Sequence, residues 1–234
     1  MGKLYDRLSK DVRFEEGLKA CINCGTCTAI CPAASFYNYD PRIIADLVQT
    51  RDDAVIIALL KSETIWFCGE CMSCKTRCPR SNTPGLIVIS LRNLSMELGY
   101  FVESEKGRQQ LAIKRTIGEN MLKHGYCVHV DELGSDMHPE QGPVWDWIKE
   151  NTAEVYARLG GNYNNPGPGA LRKISEESLG ELKAIFEETG ALRRWEKIEN
   201  FSEMKAAEMG LEFSEGKDEY FQYVYTIDTV DHQS

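Results

Sequence analysis

Residues 21–32 read Cys21-Ile22-Asn23-Cys24-Gly25-Thr26-Cys27-Thr28-Ala29-Ile30-Cys31-Pro32, and residues 68–79 read Cys68-Gly69-Glu70-Cys71-Met72-Ser73-Cys74-Lys75-Thr76-Arg77-Cys78-Pro79. Both are one run, C-x2-C-x2-C-x3-C-P, repeated 47 residues apart. Three thiolates at intervals of three can wrap one face of an iron–sulfur cube and hold three of its four irons. The fourth cysteine lies on the chain leaving the loop and points toward a second cube, the exchange that two-cluster ferredoxins use. Proline after it fixes the direction of the departing chain and cannot extend a preceding helix. Structural zinc is the competing assignment, but zinc usually takes its cysteines as separated CxxC pairs. Here four thiols fall within eleven residues, twice over.

The spacing therefore predicts two [4Fe–4S] clusters. One takes Cys21, Cys24, Cys27 and Cys78; the other takes Cys68, Cys71, Cys74 and Cys31. The exchange forces the cubes close together inside one domain, and a pair of redox centres with no catalytic group beside it is a wire. Thr26 and Ser73 occupy matching loop positions. Their hydroxyls can donate to cluster sulfurs and raise the potential, or cap local backbone. Lys75, Arg77 and Arg80 can offset cluster charge or remain solvated. Trp66 and Phe67 read as core packing, with shielding of a cluster as the alternative. Cys127 lies outside both runs and is expected to be a small buried hydrophobe. His124, His129 and His138, with Asp131 and Glu132, match no metal spacing. No nucleotide fingerprint, P-loop or nucleophile elbow occurs, and no catalytic residue is expected.

Working outward, Asp40 with Pro41 is an N-cap followed by proline at the first helical position, leading a helix through Thr50. Asp52 or Asp53 caps a second helix through Leu60. Thr83-Pro84 repeats the cap-plus-proline signature ahead of a helix over 86–98, closed by Gly99. The remainder is also mostly helical. One segment covers about 104–124 and closes at Gly125. Another follows Pro143, with Val144, Ile148, Val155 and Leu159 on one face. Residues 160–169, Gly-Gly-Asn-Tyr-Asn-Asn-Pro-Gly-Pro-Gly, break regular structure. Ser178 and Glu181 fit a capping box for a helix closing near Gly190. A further helix after Ser202 ends at Gly210, and residues 220–227 suggest the only strand.

Of 234 residues, 42% are hydrophobic, so a folded core is expected. Residues 1–102 carry 12 Lys/Arg against 11 Asp/Glu, and residues 103–234 carry 15 against 25. Nucleic-acid binding is disfavoured, since no basic face dominates. The first seventeen residues have no apolar secretory core, and no apolar run is long enough to span a bilayer. A cytoplasmic protein is expected, with nine cysteines serving as metal ligands rather than disulfides, and one left over.

The head resembles the C subunit of heterodisulfide reductase. The resemblance rests on the two cysteine runs, the Trp66-Phe67-Cys68 entry, Leu91-Arg92 on the following helix and a helical insert of 36 residues between the runs. It covers about residues 5–102. It implies an all-α fold: an α-helical ferredoxin with two [4Fe–4S] clusters, also found in the iron–sulfur subunits of succinate dehydrogenase and fumarate reductase. Neither the C-x4-C-x2-C spacing of their [2Fe–2S] domains nor the Cys-Cys pairs of glycolate oxidase-type subunits occurs here. The expected division is residues 1–102 as ferredoxin domain and 103–234 as a mostly helical, acidic extension for contacts with other subunits. The long extension suggests the sulfur-oxidising, heterodisulfide reductase-like type. The expected function is electron transfer between a flavin- and iron–sulfur-containing A subunit and a thiol–disulfide-active B subunit. The alternative is an iron–sulfur subunit of another membrane-linked dehydrogenase, of succinate, fumarate or glycolate type, delivering electrons to quinone. Trp145, Trp147, Phe186 and Trp195 are the expected anchors of the extension on a B-type partner.

Overall fold

Asp40 and Asp52 start the two helices that carry the first part of the core. Asp40 accepts hydrogen bonds from the Arg42 and Ile43 N–H groups, and Asp52 accepts one from Ala54. Proline at the first helical position has no N–H to lose there. The computed structural model describes residues 2–226, and all regular structure among them is helical. Helices α1 (Lys3–Leu8) and α2 (Val12–Gly17) precede the first cysteine run, which contains the single turn α3 (Thr26–Ala29). Helices α4 (Pro41–Gln49) and α5 (Asp53–Lys61) form the insert, and α6 (Pro84–Leu98) follows the second run. Asp53 does not cap α5. It accepts the Lys3 and Leu4 N–H groups, both at 3.0 Å, and so fastens α1.

Helix α6 is the axle of the head. Ile44, Val48, Ile56, Leu60, Ile87 and Leu91 from α4, α5 and α6 are fully buried in one cluster. Each such side chain contributes about 1.5–3 kcal/mol of burial. Gly17 ends α2 against this axle, where a Cβ would lie 2.9 Å from the Ile87 backbone nitrogen. Gly99, at φ 76°, closes α6 as expected.

Residues 104–124 are helical but not one α-helix. They form α7 (Glu105–Arg108), α8 (Gln110–Ile113), a π turn over Lys114–Gly118 and α9 (Glu119–His124), closed by Gly125. Helices α10 (Gly142–Glu150) and α11 (Thr152–Arg158) break at Asn151. Val144 and Leu159 stand 67% and 75% exposed, so the apolar face expected there is not buried within the chain. No helix falls within residues 160–169.

Three local expectations are corrected. Helix α12 (Glu176–Glu188) is capped by Ser175, whose hydroxyl accepts the Ser178 N–H; Ser178 lies inside the helix and forms no cap. Helix α13 (Ala191–Met209) starts well before Ser202, which is buried in mid-helix. Residues 220–226 are not a strand but most of α14 (Glu219–Thr226); Ile227 lies outside the described residues. Strand propensity of its aromatics loses to helical burial of Tyr220, Phe221 and Val224 and to Asp218, which accepts the Phe221 N–H.

A second core joins Met96 and Phe101, at the end of the head, to Leu111, Ile198, Tyr220 and Phe221. Helix α13 crosses the end of α6, and the Phe201 ring lies where a Cβ on Gly99 would clash at 2.5 Å. Arg115, on the π turn, ties the later helices together. Its guanidinium donates to Glu199 (2.7 Å), Asp218 (2.9 Å) and the Gly216 and Ser214 carbonyls. Of the expected partner anchors, Trp195 meets Phe186 edge-on at 5.3 Å and Trp145 donates to the Leu133 carbonyl. Trp147 is 54% exposed.

Candidate iron–sulfur centres

Each cysteine run folds as an open loop on the same backbone plan. Asn23 and Glu70, before the second cysteine, have φ 59° and 54°; Gly25 and Met72, after it, have φ 78° and 58°. Left-handed residues among right-handed ones turn successive N–H groups inward and make a concavity suited to an anionic group. For a residue with a side chain that conformation costs about 1–2 kcal/mol, yet Glu70 and Met72 adopt it at the positions matching Asn23 and Gly25.

The loops enclose two cavities. The first, of about 20 Å³, is lined by Cys21, Cys24 and Cys27 of the first run together with Cys78 of the second. The second, of about 30 Å³, is lined by Cys68, Cys71 and Cys74 together with Cys31. In each, four thiols line one common space. Among the described residues no three His, Cys, Asp or Glu side chains converge as ligands of a single metal ion. Four soft sulfurs set around a cavity, rather than on a point, suit a polynuclear iron–sulfur group.

The two proline-led helices begin between these cavities. Pro84 lines the first cavity and Gly85 the second; Pro41 lines the second and Arg42 the first. The positive ends of α4 and α6 therefore face the groups that would carry negative charge. Glycine at 85 lets the helix approach without displacing Met72: a Cβ there would stand a tight 3.1 Å from Met72 Sδ and in ordinary contact, at 3.8 Å, with Cys74 Sγ.

Different side chains pin each loop. Beside the first cavity, buried Asn82 accepts from Lys19 N–H (2.7 Å) and donates to the Ala20 carbonyl (3.0 Å), while its own N–H meets Cys78 Sγ at 3.3 Å. Gln49 accepts the Cys21 N–H at 2.8 Å. Arg42 joins Asp40 to Asn23 across the same mouth. Beside the second cavity, Arg92 donates to the Ile65 carbonyl (2.7 Å) and the Cys68 carbonyl (2.6 Å), and pairs with Glu70. Leu91-Arg92 belongs to the sequence resemblance; the roles of Asn82, Gln49, Arg42 and Tyr39 carry no spacing signal in the sequence.

Thr26 Oγ1 lies 3.4 Å from Cys24 Sγ, and Ser73 Oγ 3.4 Å from Cys71 Sγ. These hydrogen bonds hold both thiols below their ordinary pKa. Burial acts the other way on Cys21, Cys74 and Cys27, the last pushed up to about 11. The phenol of Tyr39 lines the second cavity. Burial raises its pKa, and the neighbouring Cys68 and Cys31 raise it further, so it stays protonated.

Lys75, Arg77 and Arg80 are all exposed, and of the three Arg80 lines the first cavity. Phe67 stacks on Tyr37 at 4.6 Å, and Trp66 packs against both cores, so core packing is the role observed. Cys127 is exposed, contrary to expectation: His129 and Val130 are the residues of that stretch that turn inward. His124 stacks on His129 and pairs with Glu132, while His138 meets Tyr225 elsewhere.

Residues 17–82 match the family described as 4Fe-4S dicluster domain. The chain is 35% identical over 193 residues to the C subunit of the ferredoxin:CoB-CoM heterodisulfide reductase of Methanosarcina acetivorans, covering 82% of this chain and 70% of that one. It is 28% identical over 188 residues to a C-type iron–sulfur subunit, numbered 2, of the CoB–CoM heterodisulfide reductase of Methanocaldococcus jannaschii, covering 80% of each. It is 32% identical over 123 residues to the iron–sulfur C subunit of the same reductase in Methanopyrus kandleri, covering 51% of this chain and 58% of that one. The first two alignments run well past a 102-residue head, so the extension does not by itself distinguish a sulfur-oxidising type.

Proposed function

Since this chain belongs to the C-subunit family of heterodisulfide reductases, we propose that it relays single electrons through two [4Fe–4S] clusters between an A-type flavin and iron–sulfur subunit and a B-type subunit where thiol–disulfide chemistry occurs. The observation that carries the reading is the crossed ligand set. Cys21, Cys24, Cys27 and Cys78 surround one cavity, and Cys68, Cys71, Cys74 and Cys31 the other. The fit is chemical as well as geometric: soft thiols, inward N–H groups and helix N-termini all favour an anionic, sulfur-rich group. When bound, such clusters supply one-electron oxidation and reduction without proton chemistry. The protein contributes the ligands, keeps the fourth sulfur of each set in place through the proline-directed chain, and sets potentials through nearby hydroxyls and charges.

The same division at residue 102 is proposed for assembly, with a first core from Leu8 to Leu94 inside the head and a second in which Met96, Phe101 and Val102 of the head pack on the later helices. The later helices serve two ends. Helices α13 and α14 bury Ile198, Tyr220, Phe221 and Val224 within the chain, whereas Val144 and Trp147 on α10 and Leu159 just after α11 are exposed. Those three side chains are the proposed contact with a B-type subunit. No helix among the described residues is long and apolar enough to cross a membrane.

Anaerobic purification with co-expressed partners tests both parts. About eight iron and eight acid-labile sulfide per chain are expected for two cubanes; stoichiometric zinc without sulfide contradicts the reading. Val144→Glu with Trp147→Glu is expected to keep the iron and lose co-purification. Undiminished assembly removes α10 and α11 from the interface.

A further inference from the structure

Tyr39 is 4% exposed, and its hydroxyl is buried without a hydrogen-bond partner among the described residues. A buried hydroxyl left unpaired costs about 1–3 kcal/mol, and phenylalanine would fill the same space without that penalty. The hydroxyl is nevertheless aimed at a sulfur-rich surface. Tyr39 lines the second cavity with Cys31, Cys68 and Pro41, and the ionisable groups that act on its hydroxyl are those two thiols and Arg92. The first cavity has no counterpart: Asn82, its buried polar side chain, has both amide atoms engaged by backbone. A neutral phenol is a donor with nothing to give its proton to except sulfur.

We propose that the Tyr39 hydroxyl donates a hydrogen bond to a sulfur of the second iron–sulfur centre, either the Cys68 thiolate or a bridging sulfide, and thereby raises the reduction potential of that centre. The inference rests on the reading that Cys68, Cys71, Cys74 and Cys31 hold a cluster. Reduction adds one negative charge to the group, so a donor to its sulfur is stronger in the reduced state than in the oxidised one. Tyr39 is a positioning residue of the relay, not a ligand: it biases which of the two centres holds the electron. Removing one such donor is expected to shift the reduction equilibrium about tenfold, which for a one-electron couple is about 59 mV.

The test is a redox titration, followed by electron paramagnetic resonance, of the anaerobically purified full chain carrying Tyr39→Phe. The expected result is a lowered potential for one centre only, the same one that responds to Ser73→Ala, with iron and sulfide unchanged. Two unchanged potentials in a fully loaded variant overturn the inference while leaving the cluster reading intact. Wild-type protein without iron and sulfide is a different failure, that of the cluster reading itself. Should Tyr39→Phe fail to hold the second centre, 3-fluorotyrosine at position 39 supplies the opposite arm. Its more acidic hydroxyl is a stronger donor in the same shape, and the potential of the second centre must rise. No rise overturns the proposal.

Discussion

The two cysteine loops share a backbone plan and differ in the charges and side chains that hold it. Both place left-handed residues on either side of the second cysteine, both pair that cysteine with a hydroxyl, and a thiol of the other run lines each cavity. Around the first, two guanidiniums, Arg42 and Arg80, stand on the cavity wall, and a neutral amide holds the chain. Around the second, no cation among the described residues lines the cavity, a phenol does, and a guanidinium holds the chain from outside. The repeated spacing thus answers a common demand, presenting thiols to a cube. The unrepeated neighbours answer a different one, making two like centres unlike in charge and hydrogen bonding.

Arg92→Ala is expected to have the largest effect. Its planar fork spans two backbone carbonyls, at Ile65 and Cys68, with 15% of the side chain exposed. Losing both charge-assisted bonds costs about 3 kcal/mol, read by denaturant unfolding, with iron lost from the second centre first. Arg92→Lys restores little, because a point charge does not span the fork. Equal loss from both centres breaks the claim that each loop has its own pin.

Asn82→Ala is the mirror experiment and is expected to be milder, about 2 kcal/mol. It strands the Lys19 N–H and the Ala20 carbonyl just ahead of Cys21. The first centre should lose iron on anaerobic chelation while the second holds. The reverse order contradicts the assignment of Asn82 to the first loop.

These pins also mark where the sequence stops being legible. Cysteine spacing is local: the eight cysteines that line the two cavities and the proline-led helices at Pro41 and Pro84 are legible in a few adjacent residues, and the proposed crossed sets are read from the repeat of that spacing. The pins are not local. Asn82 acts on residues 19 and 20, and Arg92 on 65 and 68, so the neighbouring sequence does not show what either side chain holds, although Leu91-Arg92 belongs to the resemblance. The later half is opaque for a different reason. Residues 220–226 have strand-like composition, but their helix depends on Asp218 and on burial against residues such as Leu111, more than a hundred positions earlier. The start of α13 is hidden because Gly190, which adopts φ 75°, reads equally well as the end of one helix and the threshold of the next.

The smallest expected effects compare the matched hydroxyls. Thr26→Val and Ser73→Ala each remove one hydrogen bond between a hydroxyl and an exposed cysteine sulfur. Each should lower the potential of its own centre by less than about 1 kcal/mol in free energy, measured by redox titration. Shifts in the opposite centre would break the pairing of loop and cluster.

The crossed ligand set is the central claim, and signal sharing between variants tests it most directly. Cys24→Ser, Cys71→Ser and Cys78→Ser would each be loaded anaerobically and examined by electron paramagnetic resonance of the reduced state. Cys24 marks the first centre and Cys71 the second, since each is the second cysteine of its own run. The account predicts that Cys78→Ser alters the signal altered by Cys24→Ser and leaves the one altered by Cys71→Ser unchanged. If Cys78→Ser instead changes the Cys71 signal, each run holds its own cluster and the crossing is wrong.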